Sequence, residues 1–209
     1  MGRLFGPLTY TSEESAEECE AAAATESGAE RLESLGHAAL SWTAAGAYPR
    51  GLALLDEVAA ARREGVPAGG GPELDWLLPL YAFNLFTAGR TEEAWATVEA
   101  AEAYARGSGG SSAFDQLADY LADAGHLEPA VGYWTAALDL LLHGEDPHPA
   151  VAYGPGPEHA PVHRIRAHRR RVREQLGLPA DEHDLALSPR PRRSLVGRLF
   201  GRGSARAGS

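Results

Sequence analysis

Lysine is missing from this 209-residue chain: all 19 basic residues are arginine, set against 29 acids. A single cysteine, Cys19, excludes an intramolecular disulfide framework and fits a reducing compartment. No stretch approaches the roughly 18 consecutive apolar residues that a membrane-crossing helix needs. The opening residues, Met1-Gly-Arg-Leu-Phe-Gly-Pro, lack the apolar run and cleavage site of a secretory signal, and Gly6 stands where a myristoylation signal requires Ser or Thr. A cytoplasmic protein is therefore expected. Arginine-only basicity beside 39 alanines and 24 glycines also points to a GC-rich bacterial genome, so part of the arginine content is compositional. Persistent β-branched alternation is lacking too, which leaves little room for strands.

What the chain does have is a division of charge. Residues 1–158 carry 25 acids and 7 arginines, a net −18, whereas residues 159–209 carry 4 acids and 12 arginines, a net +8. A nucleic-acid binder with a basic folded body is excluded by this pattern. Apolar residues recur at spacings of three and four from about residue 30 to 176, which predicts an all-α fold. Ser27 and Glu30 have the spacing of a capping box opening a helix that Gly46 ends. Pro49 then falls in the first turn of a partner helix carrying Leu52, Leu55, Val58 and Ala59 inward, to about residue 65. The punctuation repeats twice. A helix over 78–88 stops at Gly89, with Thr91 as N-cap of a partner running to about 106; a helix over 113–124 stops at Gly125, with Pro129 early in a partner running to about 142.

This recurrence resembles the tetratricopeptide repeat family, a 34-residue helix–turn–helix unit, laid over residues 32–65, 75–108 and 111–144. The resemblance implies small residues where the two helices of a unit touch, and Ala39, Ala82, Ala118, Gly51, Ala94 and Ala130 occupy those positions. It also implies burial of Leu35, Leu78 and Phe114, of Trp42, Leu85 and Leu121, and of Leu55, Val98 and Trp134. The segment Ala88-Gly-Arg-Thr-Glu-Glu-Ala94 is the closest single match. The units are degenerate. Pro79 falls inside a helix that it should kink or shorten, the second and third units lack the family's terminal proline, and Tyr48 alone keeps the aromatic after the stop glycine. A plain helical bundle fits the same hydrophobic pattern.

Outside the units, residues 11–26 read as a Glu/Ala-rich helix, packed on the first unit or solvated, and 144–158 as a proline-rich loop. Residues 161–176 form a basic helix whose Val162, Ile165, Val172 and Leu176 face the body and close the array. Residues 188–209 read as a disordered Arg-rich tail.

Catalytic signals are poor. Acidic neighbours raise rather than lower the Cys19 thiol pKa, His159, His163 and His168 do not share a face for a metal, and Gly69-Gly70-Gly71 lacks the strand and lysine of a phosphate loop. No enzyme activity, cofactor or metal is expected. The resemblance instead places His37, Leu40, Trp76, Phe83, Phe86, Asp115, Asp119 and Asp123 on a concave face, aromatic at its centre and acidic at one end. Such a face suits a peptide with an apolar anchor beside Arg or Lys, and implies an adaptor or scaffold. Phe83 and Phe86 read equally as core, Trp76 as cover for Pro79, Asp115 as a cap with Ser112, and Asp119 and Asp123 as a solvated stripe. The cluster Arg164, Arg166, Arg169, Arg170, Arg171 and Arg173 supports an alternative: a nucleic-acid accessory protein holding phosphates through this helix and the tail. It also reads as a solvated capping helix. A third reading docks the basic helix or tail on the acidic face.

Overall fold

The computed structural model describes residues 13–66, 73–143 and 161–185. Helix makes up 86 % of these, and no strand occurs among them. The expected loop over 144–158, the triple glycine at 69–71 and the tail over 188–209 lie outside the described residues.

The expected N-terminal helix is α1 (Glu13–Ala23), and it is packed rather than solvated. Ala16 and Ala23 bury against α2 (Gly28–Ala45). Glu20 fixes the register: it accepts from the Trp42 indole N–H and from Arg50, whose guanidinium sits 3.9 Å above the Trp42 ring. Helix α2 begins where Ser27 predicts, but not by the expected means, because Ser27 makes no side-chain capping bond. The Ser34 hydroxyl donates to Glu26 instead, tying the preceding loop to the second turn.

Three antiparallel hairpins follow: α2 with α3 (Tyr48–Arg63), α4 (Glu73–Thr87) with α5 (Thr91–Tyr104), and α6 (Gly110–Asp123) with α7 (Leu127–His143). Each first helix ends where the sequence puts it, at left-handed Gly46, Gly89 and Gly125, with φ of 84°, 76° and 90°. Thr91 does not cap α5; the preceding Arg90 grips Glu93 in the first turn and reaches Asp56 of α3, both at 2.7 Å. Pro79 does not shorten α4, which starts a turn and a half before it and runs on to Thr87. From α5 the chain passes through a π-helical turn, Ala105–Gly109, directly into α6. A β-carbon at Gly109 would lie 2.6 Å from the Tyr104 ring and from Ala113, so only glycine fits this passage.

All six small residues anticipated at helix contacts are buried. Eight of the nine large residues anticipated in the core are buried as well; the exception is Leu78, whose place is taken by Leu77 and Leu80. One core cluster spans α1 to α4 around Leu35, Leu55 and Leu80. Another spans α4 to α8 around Phe114, Leu117, Trp134 and Leu138. The basic helix α8 (Pro161–Gln175) buries Ile165 and Val172 on α7, and the short α9 (Glu182–Leu185) folds back on it.

Candidate functional site

Burial on α4 is divided between two faces. Leu77, Leu80, Ala82, Asn84 and Leu85 point into the protein, which leaves Trp76, Phe83 and Phe86 half-buried at its edge. The Trp76 indole lies 5.2 Å from the exposed His37 imidazole of α2. A β-carbon at Gly36 would sit 3.3 Å from Trp76 and Leu77, so the two helices approach closely here. One turn along α2, Leu40 is half-buried beside the same cluster. Phe83 meets Tyr48 of α3 edge-on and Tyr120 of α6 at a tilt, each with ring centroids 5.8 Å apart. Rings from all three hairpins therefore form one half-buried line, Tyr48–Phe83–Tyr120, at spacings suited to aromatic pairing.

Tyr120 was not among the residues expected at this face; it lies one position beyond Asp119, where the helix turn carries its ring toward α4. Phe86 does not join the line. It packs instead with Trp95 of α5 and His126 at the start of α7, with centroid distances of 5.1 and 4.2 Å. Burial pushes the His126 imidazole below its ordinary pKa.

The acidic end is taken up by the protein itself. Asp115 is fully buried and paired with Arg164 of α8. Asp119, one turn later, accepts from Arg164 at 3.0 Å and from the Trp134 indole at 3.2 Å, and lies 3.2 Å from a His168 ring nitrogen. The i, i+4 spacing of both pairs puts two acids of α6 opposite two bases of α8. Asp123, two turns beyond Asp115, is half-buried.

Most of the arginine cluster is turned inward. Arg169 is 2 % exposed; it donates to the Thr135 hydroxyl at 2.8 Å and to Asp181 and Asp184 at 2.9 and 3.0 Å. Arg173 lies 3.1 Å from each of the same two carboxylates. Hydrogen bonding to Arg169 holds the Asp181 carboxyl well below the usual range. Arg166 is buried as well. Of the five arginines expected to meet an anion, only Arg170 is exposed, and it pairs with Glu174 at 2.9 Å; the neighbouring Arg171 is exposed too. Helical periodicity missed this because Asp181 and Asp184 come from beyond the helix.

Among the described residues no group of three or more His, Cys, Asp or Glu is placed to hold a metal ion. Burial raises the Cys19 thiol pKa, and Glu18 and Glu26 raise it further. Tyr81 donates to Asp56, which also accepts from Arg90, and burial with Asp56 pushes the phenol up to about 12. This trio joins the first two hairpins. A cleft of about 520 Å³ opens between the π turn and α7, lined by Arg106, Phe114, Asp139 and Leu140 with glycine backbone; none of the expected site residues lines it, although Asp115, Asp119 and Asp123 share α6 with its Phe114 wall. No helix among the described residues is long and apolar enough to cross a membrane. Comparison with protein-family models, curated proteins and solved structures finds no match to this chain.

Proposed function

We propose that this protein is a cytoplasmic scaffold of tetratricopeptide-like hairpins that binds a peptide, without catalysis, across the face formed by α2, α4 and α6 together with the Tyr48 end of α3. The observation that carries this reading is the line of Tyr48, Phe83 and Tyr120, which runs from the first hairpin to the third with every ring half-buried. Aromatic side chains held by their neighbours offer large contact area at little entropic cost, which is what a peptide anchor needs. The small residues at the helix contacts support the repeat assignment, above all Gly51 against α2. With Asp115 and Asp119 engaged by α8, basic residues of the ligand meet acids such as Glu33, which is exposed beside His37. The nucleic-acid alternative loses support because Arg164, Arg166, Arg169 and Arg173 face inward.

Selection of a displayed random-peptide library on the full chain tests this. Enriched peptides should carry an aromatic or aliphatic anchor beside Arg, and Phe83→Ala should weaken them at least tenfold while the far-ultraviolet circular dichroism stays unchanged. Enrichment of peptides indifferent to Phe83→Ala overturns the reading.

A further inference from the structure

The pentapeptide Gly-Arg-Leu-Phe-Gly occurs twice, at residues 2–6 and 197–201. Compositional bias toward Ala, Gly and Arg does not account for it, because phenylalanine is among the scarcest residues: the chain has five, and two of them are Phe5 and Phe200. Each copy places an arginine directly before a Leu-Phe pair. That is the chemistry the aromatic face suits, an apolar anchor with an adjacent cation.

We infer that the chain carries its own ligand: the 197–201 copy docks in cis on the Tyr48–Phe83–Tyr120 face, and an external peptide binds by displacing it. The inference rests on the peptide-binding reading above. Two further observations carry it. The first is charge. Arg164, Arg169 and Arg173 are neutralised by acids within the fold, whereas residues 186–209 hold six arginines and no acid. Six of the twelve arginines of residues 159–209 therefore surround this copy with no acid among them, and the acidic body, net −18 over residues 1–158, steers them toward it.

The second is position. Asp184 of α9 binds Arg169, whose neighbour His168 lies on Asp119, and Asp119 adjoins Tyr120. The described chain thus ends on α8, which is ion-paired through Arg164 and His168 to α6, the helix that carries Tyr120. From Leu185 to Arg198 is thirteen residues, which at about 3.3–3.6 Å each reach roughly 40 Å. Short linkers of this kind supply millimolar effective concentration, so even weak docking is populated.

The test uses the full chain with a benzophenone amino acid replacing Phe200. Irradiation should cross-link it to peptides containing Phe83 or Tyr120 of the same molecule, with a yield independent of protein concentration. Cross-links that fall elsewhere, or only between molecules, overturn the inference. In parallel, a synthetic peptide of residues 193–202 is titrated against the native chain and against Leu4→Ala/Phe5→Ala/Leu199→Ala/Phe200→Ala. Removal of the internal ligand should tighten its binding at least tenfold; equal affinity, or no binding, overturns the inference. If the peptide library yields Phe83-dependent binders while these experiments fail, the self-ligand falls and the peptide-binding face stands. If neither succeeds, both fall.

Discussion

Gly51 of α3 lies against the backbone carbonyl of Ala39 in α2, so close that a β-carbon on Gly51 would sit 3.1 Å from that oxygen and 2.8 Å from Thr43 Oγ1. The hydroxyl has nowhere to swing. It donates to the Ala39 carbonyl at 2.8 Å and accepts from the Asn84 amide of α4 at 2.9 Å. Gly51→Ala gains about 1 kcal/mol of helix propensity, but overpacking this fixed contact costs more, about 1–3 kcal/mol. A lower Tm for Gly51→Ala is the expected outcome, and Thr43→Ala should not restore it, because the Ala39 carbonyl still meets the new methyl and the buried Asn84 amide loses the Thr43 hydroxyl as an acceptor. A Tm that rises would mean the two helices separate without cost.

The same contact shows how much was legible in advance. Small residues at Ala39 and Gly51 mark a close helix crossing because no large side chain fits there, and that signal survives in sequence. The Thr43–Asn84 bond does not, although it buries Asn84 completely between hairpins. Nothing in the spacing of a polar residue on an apolar helix face says which partner will satisfy it. The aromatic residues Trp76 and Phe83 were legible for the same reason as the core, through helical period. Docking of the basic helix on the acidic face was one reading of the charge division, and Arg164 on Asp115 and Asp119 realises it; the burial of Arg169 and Arg173 under Asp181 and Asp184 was not legible, since exposure of a charge depends on which later element packs over it. Residue types predicted a solvated or ligand-binding stripe, and α8 with α9 turned most of it into internal ion pairs.

The buried pair Arg169–Asp184 makes the next case. Both side chains are 3 % exposed, so removing the cation leaves the buried Asp184 carboxylate with Arg173, 3.1 Å away, as its remaining cationic partner. Arg169→Met should cost about 3–5 kcal/mol, and Arg169→Met/Asp184→Leu should recover more than half of that, because an apolar pair needs no desolvation. Urea unfolding of the four members of this double-mutant cycle measures it. Equal losses for single and double variants would show that the packing of Arg169, not its charge, holds α9.

Acid stability depends on the same region. Asp181 has its folded pKa lowered, chiefly by the hydrogen bond from Arg169. A carboxyl depressed on folding contributes stability that is complete above its unfolded pKa of about 4 and is lost as pH falls toward the folded value. The Asp181 contribution, read as the difference in urea midpoint between the wild type and Asp181→Asn, should therefore hold steady above pH 5 and shrink below pH 4. Asp181→Asn should start lower at neutral pH and show a shallower drop. Parallel curves for the two proteins would remove Asp181 from the acid response.

His126 produces a second, milder dependence at higher pH. Its ring packs 4.2 Å from Phe86 and 5.0 Å from Trp95, and burial lowers its folded pKa below the ordinary value of about 6.5. The sign is opposite to that of a histidine gaining an acidic partner. Above the unfolded pKa the ring is neutral in both states and stability is complete. As pH falls through 6.5 the unfolded chain takes up the proton first, and the folded state loses ground. Asp119 is engaged with Arg164, Trp134 and His168 on the α8 side of the third hairpin, whereas His126 packs against Phe86 and Trp95 of the second. Between pH 7 and pH 5 the wild type should lose stability that His126→Gln retains, and quenching of Trp95 emission should report the local protonation before global unfolding. A wild-type curve that is flat across this interval, or one matched by His126→Gln, would show that the imidazole is solvated enough to titrate as it does in the unfolded chain.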